Sequence, residues 1–460
     1  MTRSAQIALF IFAFVLSAAG RDAQTVKVLS SAFGQVDHVP ISLVGRWEGE
    51  VTRDGKQWKV ALNAAQIGNE IKASIDFMDL DMVDIPFPVT RTGERFRLER
   101  PQPSGNPIVF DGEVVGNTFV GTWKGFGVDG SFVLKRSEAR AKAYRGEEVS
   151  FTNGDVTLSG TLLLPNGREK NPAVVLVHGS SPNERTTYRS WARHFAENGI
   201  AALIYDKRGS GKSTGNTRAA SMENLADDAL AGIKMLKLRR EIDAGKVGIA
   251  GHSQGGWIAP LAAARSGDVA FVIVSGAAAV TPAEQSIFHR AGVMRSAGMT
   301  EAEIAEATRL REQLYLLNRK IMANDADVSE MRSAISKELS DNKAARWFGP
   351  AELPPELNGE LPPRGALELL FFDVSSIWPK VKVPVLAVWG SRDNIVPVEK
   401  SRILIERLLN NAGNKDLTVK VFQGVDHGKS VSTVSGVWDF PRASAEYDLA
   451  MVEWLKKKVG

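Results

Sequence analysis

The sequence predicts an α/β protein that carries a smaller all-β domain toward its N-terminus, and three observations predict it. Residues 41–137 read as short strands broken by turn signals about every ten residues, the pattern of an antiparallel meander. From residue 147 onward, continuous apolar runs alternate with amphipathic segments, the pattern of a mostly parallel sheet with helices on both faces. Within that second region an apolar strand ends in GHSQGG, residues 251–256, and leads straight into the apolar helix IAPLAAA.

The chain of 460 residues is too long for one ordinary core, so two or three domains are expected. Apolar residues make up 43% and charged residues 24%, as in a soluble globular protein. The 57 Lys and Arg against 53 Asp and Glu leave a net charge of +4, small and scattered, which offers no surface for nucleic acid. There is no cysteine, so disulfides, thiolate metal sites and a cysteine nucleophile are excluded.

At the N-terminus, Arg3 precedes the apolar run 5–16 and the small residues SAAG (17–20). This is the three-part pattern of a secretory signal peptide, expected to occupy residues 1–24, with export to the periplasm or medium. The run is short for a membrane span, and no other long apolar run follows, so the mature chain is expected to be soluble.

The all-β domain is placed at 41–140, closed as a small barrel or sandwich. Asp54-Gly55, Gly116-Asn117 and Asp129-Gly130 mark its turns. Its opening, Gly45-Arg46-Trp47-x-Gly49, resembles the first strand of lipocalin-like barrels. It reads either as a ligand-binding module or as an accessory domain packed on its neighbour; the second is favoured because no polar constellation stands out.

The α/β core is expected in two parts, 147–280 and 376–460. Its strands are 173–178, 200–206, 246–252, 270–276, 385–390 and 418–423, after a hairpin joined at Asn153-Gly154. Helices are expected at 184–198, 221–240, 255–265, 397–410 and 443–458. Residues 281–375 form a helical insertion between two strands. In its segment 301–324, Ile304, Leu310, Leu314, Leu317 and Ile321 fall near one face. A long insertion at the carboxyl end of a sheet commonly shapes a site.

Gly251-His252-Ser253-Gln254-Gly255 matches Gly-x-Ser-x-Gly in a strand–turn–helix setting, which places Ser253 as a nucleophile. Small neighbours let the backbone turn tightly, and the helix that follows points its amino end at developing negative charge. A serine hydroxyl needs a base, and the base an orienting acid, in the chain order Ser, Asp or Glu, His. Of six histidines only His289 and His427 follow Ser253, and His427 lies in GVDHGKS just after the last strand. The acid is expected on the loop SRDNIVP, where Asp393 is preferred to Asp426, the sequence neighbour of His427. Asp393 also suits a turn and helix-cap role. The oxyanion hole is expected from the backbone N–H groups of Gln254 and Ser180, with Ser181 the alternative to Ser180. His178 and His252 read as supports of their loops. Neither cofactor nor metal is required.

RGSGKSTG, residues 208–215, looks at first like a phosphate-binding loop. The first glycine of that motif would stand at 206, which is Asp206, and no helix opens after Ser213, so nucleotide binding is disfavoured.

Together HGSSP (178–182), YDKRGSGKSTG (205–215), GHSQGGW (251–257), VPVLAVWGSRDNIVP (383–397) and VDHG (425–428) make the chain resemble bacterial carboxylesterases of the alpha/beta-hydrolase superfamily. The resemblance is to the branch shared with serine aminopeptidase-like domains and covers residues 147–460. In that family RGSGKSTG corresponds to a loop of the form Asp-x-Arg-Gly-x-Gly-x-Ser at the sheet rim. Ser181 replaces a glycine frequent at that place in related esterases. The resemblance implies an exported serine hydrolase using Ser253, His427 and Asp393 on a small acyl ester, or alternatively on the amide bond of a short peptide. An aminopeptidase would need acids in the insertion to hold a free amino terminus, and Glu301, Glu303, Glu306 and Asp373 are candidates. A non-catalytic exported binding protein is the alternative of another class.

Overall fold

A computed structural model describes residues 42–53, 55–102, 105–125, 127–138, 141–324, 328–354, 364–431 and 442–459. The expected signal segment, Asp54 and most of the Pro-rich stretch 352–365 lie outside the described residues.

The N-terminal strands are β1 (Gly45–Arg53), β2 (Lys56–Ile67), β3 (Glu70–Phe77), β4 (Met82–Thr92), β5 (Arg95–Arg100), β6 (Ile108–Val115), β7 (Thr118–Gly125) and β8 (Val128–Ser137). Each pairs antiparallel with the next, and β1 also pairs with β8, so the meander closes as a barrel rather than a sandwich. The physical reason is its filling. Alternate residues of every strand point inward, and they include Trp47, Trp58, Phe77, Phe96, Phe110, Phe119, Trp123 and Phe132, all buried. The rings pack mostly edge to face or tilted, Phe119 on Phe132 at 4.8 Å and Phe110 on Phe132 at 5.3 Å, with Phe110 stacked on Trp123. Side chains therefore occupy the lumen, and the barrel is a solid support.

The second sheet has eight strands. β9 (Tyr144–Asn153) and β10 (Val156–Pro165) form the expected hairpin, followed by β11 (Asn171–Val177), β12 (Ala201–Tyr205), β13 (Ile242–His252), β14 (Val272–Ser275), β15 (Val385–Gly390) and β16 (Leu417–Phe422). Their spatial order is β16-β15-β14-β13-β11-β12-β10-β9. β11 to β16 run parallel; β9 and β10 are antiparallel at one edge. Every residue of β11, β12, β14 and β15 is buried, as continuous apolar runs covered on both faces require. Helices Met222–Lys237, Gly255–Arg265 and Val398–Asn411 contribute to the apolar cluster on one face, and Arg189–Glu197 and Ala445–Val459 to that on the other.

Between β14 and β15 the chain inserts the helices Pro282–Ser296, Glu301–Met322, Ser329–Asn342, Phe348–Ala351 and Arg364–Leu370. The face anticipated from the sequence packs this insertion: Ile304, Leu310 and Leu317 are buried, with Leu314 and Ile321 against them. Capping boxes at Thr281/Glu284 and Thr300/Glu303 start its first two helices.

The barrel docks on the second domain through acidic residues of the β3–β4 connection and the start of β4. Asp84 accepts from Arg189 (3.1 Å) and Lys142 (3.0 Å), and Asp79 from Arg442 (2.8 Å). Asp81 accepts from His194 (2.9 Å), Arg193 (3.4 Å) and Lys429 (2.7 Å).

Candidate functional site

Ser253 sits at the turn between β13 and the helix Gly255–Arg265, with φ of 55°, left-handed and strained for a non-glycine residue. The turn tolerates no larger neighbours. A Cβ on Gly251 would stand 2.0 Å from the carbonyl oxygen of Gly255, and one on Gly256 would stand 2.3 Å from the Ala277 Cβ. The Ser253 N–H donates to the Ser275 carbonyl at 2.9 Å, which ties the turn to β14.

His427 comes from the loop after β16 and Asp393 from the loop after β15, as the chain order anticipated. His427 Nδ1 is 2.7 Å from Asp393 Oδ2. Asp393 Oδ1 accepts from the N–H groups of Ile395 (2.9 Å) and Val396 (2.8 Å), so this carboxylate shapes its turn and holds the imidazole at once. Asp426 is used elsewhere: its Oδ1 accepts from the Ser430 N–H at 2.7 Å.

Ser253, His427, Gly179, Ser180 and Ser181 line one cavity of about 530 Å³. Among the described residues, the N–H groups of Gln254, Ser180 and Ser181 meet no protein acceptor, and Ser180 and Ser181 are among those that line the cavity. Ser253 and His427 share this cavity, and no hydrogen bond joins the Ser253 hydroxyl to the imidazole. Larger hollows of 610 and 800 Å³ lie against the barrel strands, and no histidine or serine lines them.

The supporting histidines are where their loops needed them. His178 Nε2 lies 2.5 Å from the Tyr205 carbonyl, and His252 Nδ1 lies 3.2 Å from Ser275 Oγ. Burial pushes His178 down to about 4. Burial, with the charges of His427 and Lys429 adding to it, pushes His252 down to about 3, so both rings are neutral at pH 7.

His289 was passed over in the sequence because no strand precedes it, yet it lines the cavity from the inserted helix Pro282–Ser296 and contacts the Asn394 carbonyl at 3.2 Å. Arg290 beside it also lines the cavity. Only the packing of the insertion over the sheet brings them there. The four acids singled out in the insertion do not line the cavity and have other partners: Glu301 with Arg295, Glu303 with Arg346, Glu306 with Arg309, and Asp373 with the Ser375 N–H.

RGSGKSTG wraps an acid, not a phosphate. The Lys212 N–H donates to Asp206 Oδ2 (2.9 Å), Ser213 Oγ to the Asp206 carbonyl (2.6 Å), and Arg185 pairs with the Asp206 carboxylate (2.8 Å). Gly211, at φ 53°, passes so close that a Cβ would stand 2.5 Å from that carboxylate. Asp81, His194 and Asp448 could be mistaken for a metal site, since their ligand atoms lie within 4.8 Å of one another. Lys429 Nζ already supplies the cation there, 2.7 Å from Asp81 and 2.8 Å from Asp448.

The described helices include none long and apolar enough to cross a membrane. The chain is 26% identical over 288 residues to esterase EstD of Thermotoga maritima, a match covering 60% of each chain. It therefore spans about 60% of the length of that relative. An esterase of Pyrococcus furiosus superposes with a TM-score of 0.43 at 19% identity, over 69% of this chain and 92% of that one. A proline iminopeptidase of Mycobacterium smegmatis does so with a TM-score of 0.43 at 18% identity, over 68% and 98%. The family profile of serine aminopeptidase, S33, matches residues 168–429, more than half the chain and the stretch that holds Ser253, Asp393 and His427. The chain belongs to that family, within the alpha/beta-hydrolase superfamily.

Proposed function

We propose that the protein is an exported serine hydrolase of carboxylic esters. The observation that carries this reading is the 2.7 Å bond between His427 and Asp393 beside a serine held at a left-handed turn in the same cavity. Ser253 Oγ attacks the ester carbonyl carbon while His427 takes its proton. The N–H groups of Gln254 and Ser180 receive the oxyanion. The proton passes from His427 to the departing alcohol, leaving an acyl-enzyme, and water, deprotonated by His427, releases the acid. Asp393 holds the imidazole in the tautomer that leaves Nε2 free to accept. The apolar run near Arg3 supports export.

An ester is preferred to an aminopeptidase substrate because no Asp or Glu is among the cavity's described lining residues, and the charged side chain there is the cationic Arg290. Asn183, Thr187, Gln285, Ser286 and Arg290 make the lining polar, with few apolar side chains such as Ile395. That supports short or polar acyl groups over long aliphatic chains. The test is fluorophosphonate labelling and short-ester turnover of wild type beside Ser253→Ala, with an amino-acyl anilide in parallel. The expected result is that labelling and ester turnover disappear together in the variant while its melting temperature is kept. Turnover by folded Ser253→Ala would rule the reading out, and anilide turnover above ester turnover would move it to the amide class.

A further inference from the structure

Lys207 follows β12, two residues past Tyr205, and is 2% exposed. Its ammonium group meets four oxygens: the Gly179 carbonyl at 2.7 Å, the Ser180 and Ser181 carbonyls each at 3.4 Å, and Gln254 Oε1 at 2.7 Å. These oxygens belong to the two segments, 179–181 and Gln254, that carry the proposed oxyanion donors. The peptide group is planar and trans, so a carbonyl and the N–H of the next residue point in opposite directions. Drawing the Gly179 carbonyl toward Lys207 therefore aims the Ser180 N–H the other way. Gly179 and Ser180 line the cavity, and a Cβ placed on Gly179 would stand 3.5 Å from the Ser253 Cβ. The tighter bond to Gly179 than to Ser180 also selects the Ser180 N–H over that of Ser181.

From this geometry we infer that Lys207 is a positioning residue that joins the two halves of the oxyanion hole, fixing the 179–181 peptides and Gln254 in one arrangement. The inference rests on the serine-hydrolase reading above. It gives the lysine of YDKRGSG a task that neither the turn nor the glycines of that loop require.

The acceptors around Nζ are all neutral. The charged groups nearby have their own partners: Asp206 with Arg185, and Arg208 with Asp228. His178 is uncharged, and Tyr188, whose hydroxyl accepts from the Gly179 N–H at 2.9 Å, is pushed up to about 12 by burial. Burial lowers Lys207 from the usual lysine range to about 8. The ammonium form, with three donors for these oxygens, therefore predominates below pH 8 and is progressively lost as the pH rises through it.

The test compares wild type, Lys207→Met, Gln254→Ala and the double variant for kcat and KM on one short ester from pH 6 to 10. Fluorophosphonate labelling rate and melting temperature are read alongside. Removing a whole oxyanion donor costs about 10²–10³ in kcat, so a misaimed one should cost about 10–100-fold in Lys207→Met with KM little changed. The wild-type kcat should fall above pH 8, and that alkaline limb should be absent in Lys207→Met. Gln254→Ala, which keeps its backbone N–H, should lose less, and the two losses should not add. A folded Lys207→Met with wild-type kcat and an unchanged alkaline limb overturns the inference. Should Lys207→Met fail to fold, a wild-type kcat in Gln254→Ala together with a flat wild-type profile to pH 10 overturns it. Wild type that is labelled and active beside an indifferent Lys207→Met refutes only the role of Lys207. Folded wild type that resists labelling refutes the serine reading itself.

Discussion

Asp81→Asn separates charge from shape at the contact between the barrel and the loop that carries His427. Asp81 has a left-handed φ of 51°, and asparagine is among the residues that accept that conformation, so the backbone should be kept. What is lost is a carboxylate only 9% exposed that accepts from His194, Arg193 and Lys429. Burial alone would raise its pKa, yet His194 and Lys429 hold it well below the usual carboxylate range. Removing one partner of a fully buried pair costs about 3–5 kcal/mol. Two facts lower that figure here. Lys429 and His194 are 15% and 27% exposed, and Lys429 keeps Asp448 at 2.8 Å. Burial, opposed by Lys429 and aided by the Asp81 charge, pushes Asp448 up to about 6, so neutralising Asp81 also lets Asp448 ionise more readily. The expected loss is about 1.5–3 kcal/mol, or roughly 3–10 °C in melting temperature for a unit of this size. Lys429 lies two residues beyond His427, so kcat should also fall, by up to about tenfold, with KM nearly constant. Calorimetry and ester turnover on the same preparation are the assay. A variant within about 0.5 kcal/mol of wild type with wild-type kcat would refute the idea that the barrel steadies this loop.

Three further outcomes are expected. Asp393→Asn should fold and lose on the order of 10⁴ in kcat, the size seen when a triad aspartate becomes an amide, because the imidazole is then held in the wrong tautomer; steady-state kinetics checks it, and a loss under tenfold would contradict the assignment. Gly256→Ala should melt lower or fail to accumulate folded, since its Cβ would be 2.3 Å from that of Ala277, and thermal melts decide. Stability should decline on acidification. Unfolded His178 and His252 take up protons near pH 6.5 while the folded rings, lowered to about 4 and about 3, do not. The lost stability grows at up to about 1.4 kcal/mol per pH unit for each ring below 6.5 and levels near those folded values. Equal urea midpoints at pH 7 and 4.5 would contradict it.

Local pattern made the core of the site legible. The Gly-x-Ser-x-Gly turn, the position of His427 after the last strand and of Asp393 after the one before it follow from short segments whose conformation is set by neighbours in sequence. Helix boundaries fell within a few residues for the same reason, although 184–198 splits into a 3-10 turn at Arg185–Tyr188 and the helix Arg189–Glu197, and β13 begins at Ile242 rather than 246. Barrel and sandwich could not be told apart beforehand, because closure depends on β1 meeting β8, with Arg46 opposite Ser137 far along the chain.

By itself the sequence determined where Ser253, His427 and Asp393, the proposed nucleophile, base and acid, fall along the fold, because a strand–turn–helix motif and the order of sheet loops are properties of chain position. It also ruled out cysteine chemistry outright. Tertiary structure alone decided what surrounds them. His289 and Arg290 enter the cavity because a helix inserted between two strands folds over the sheet. Lys207 reaches the 179–181 carbonyls because β11 and β12 lie side by side, and Asp81 meets Lys429 across 348 residues because a filled barrel docks there. Such contacts depend on where whole elements pack, and a side chain's partner across that packing leaves no periodic trace in the chain.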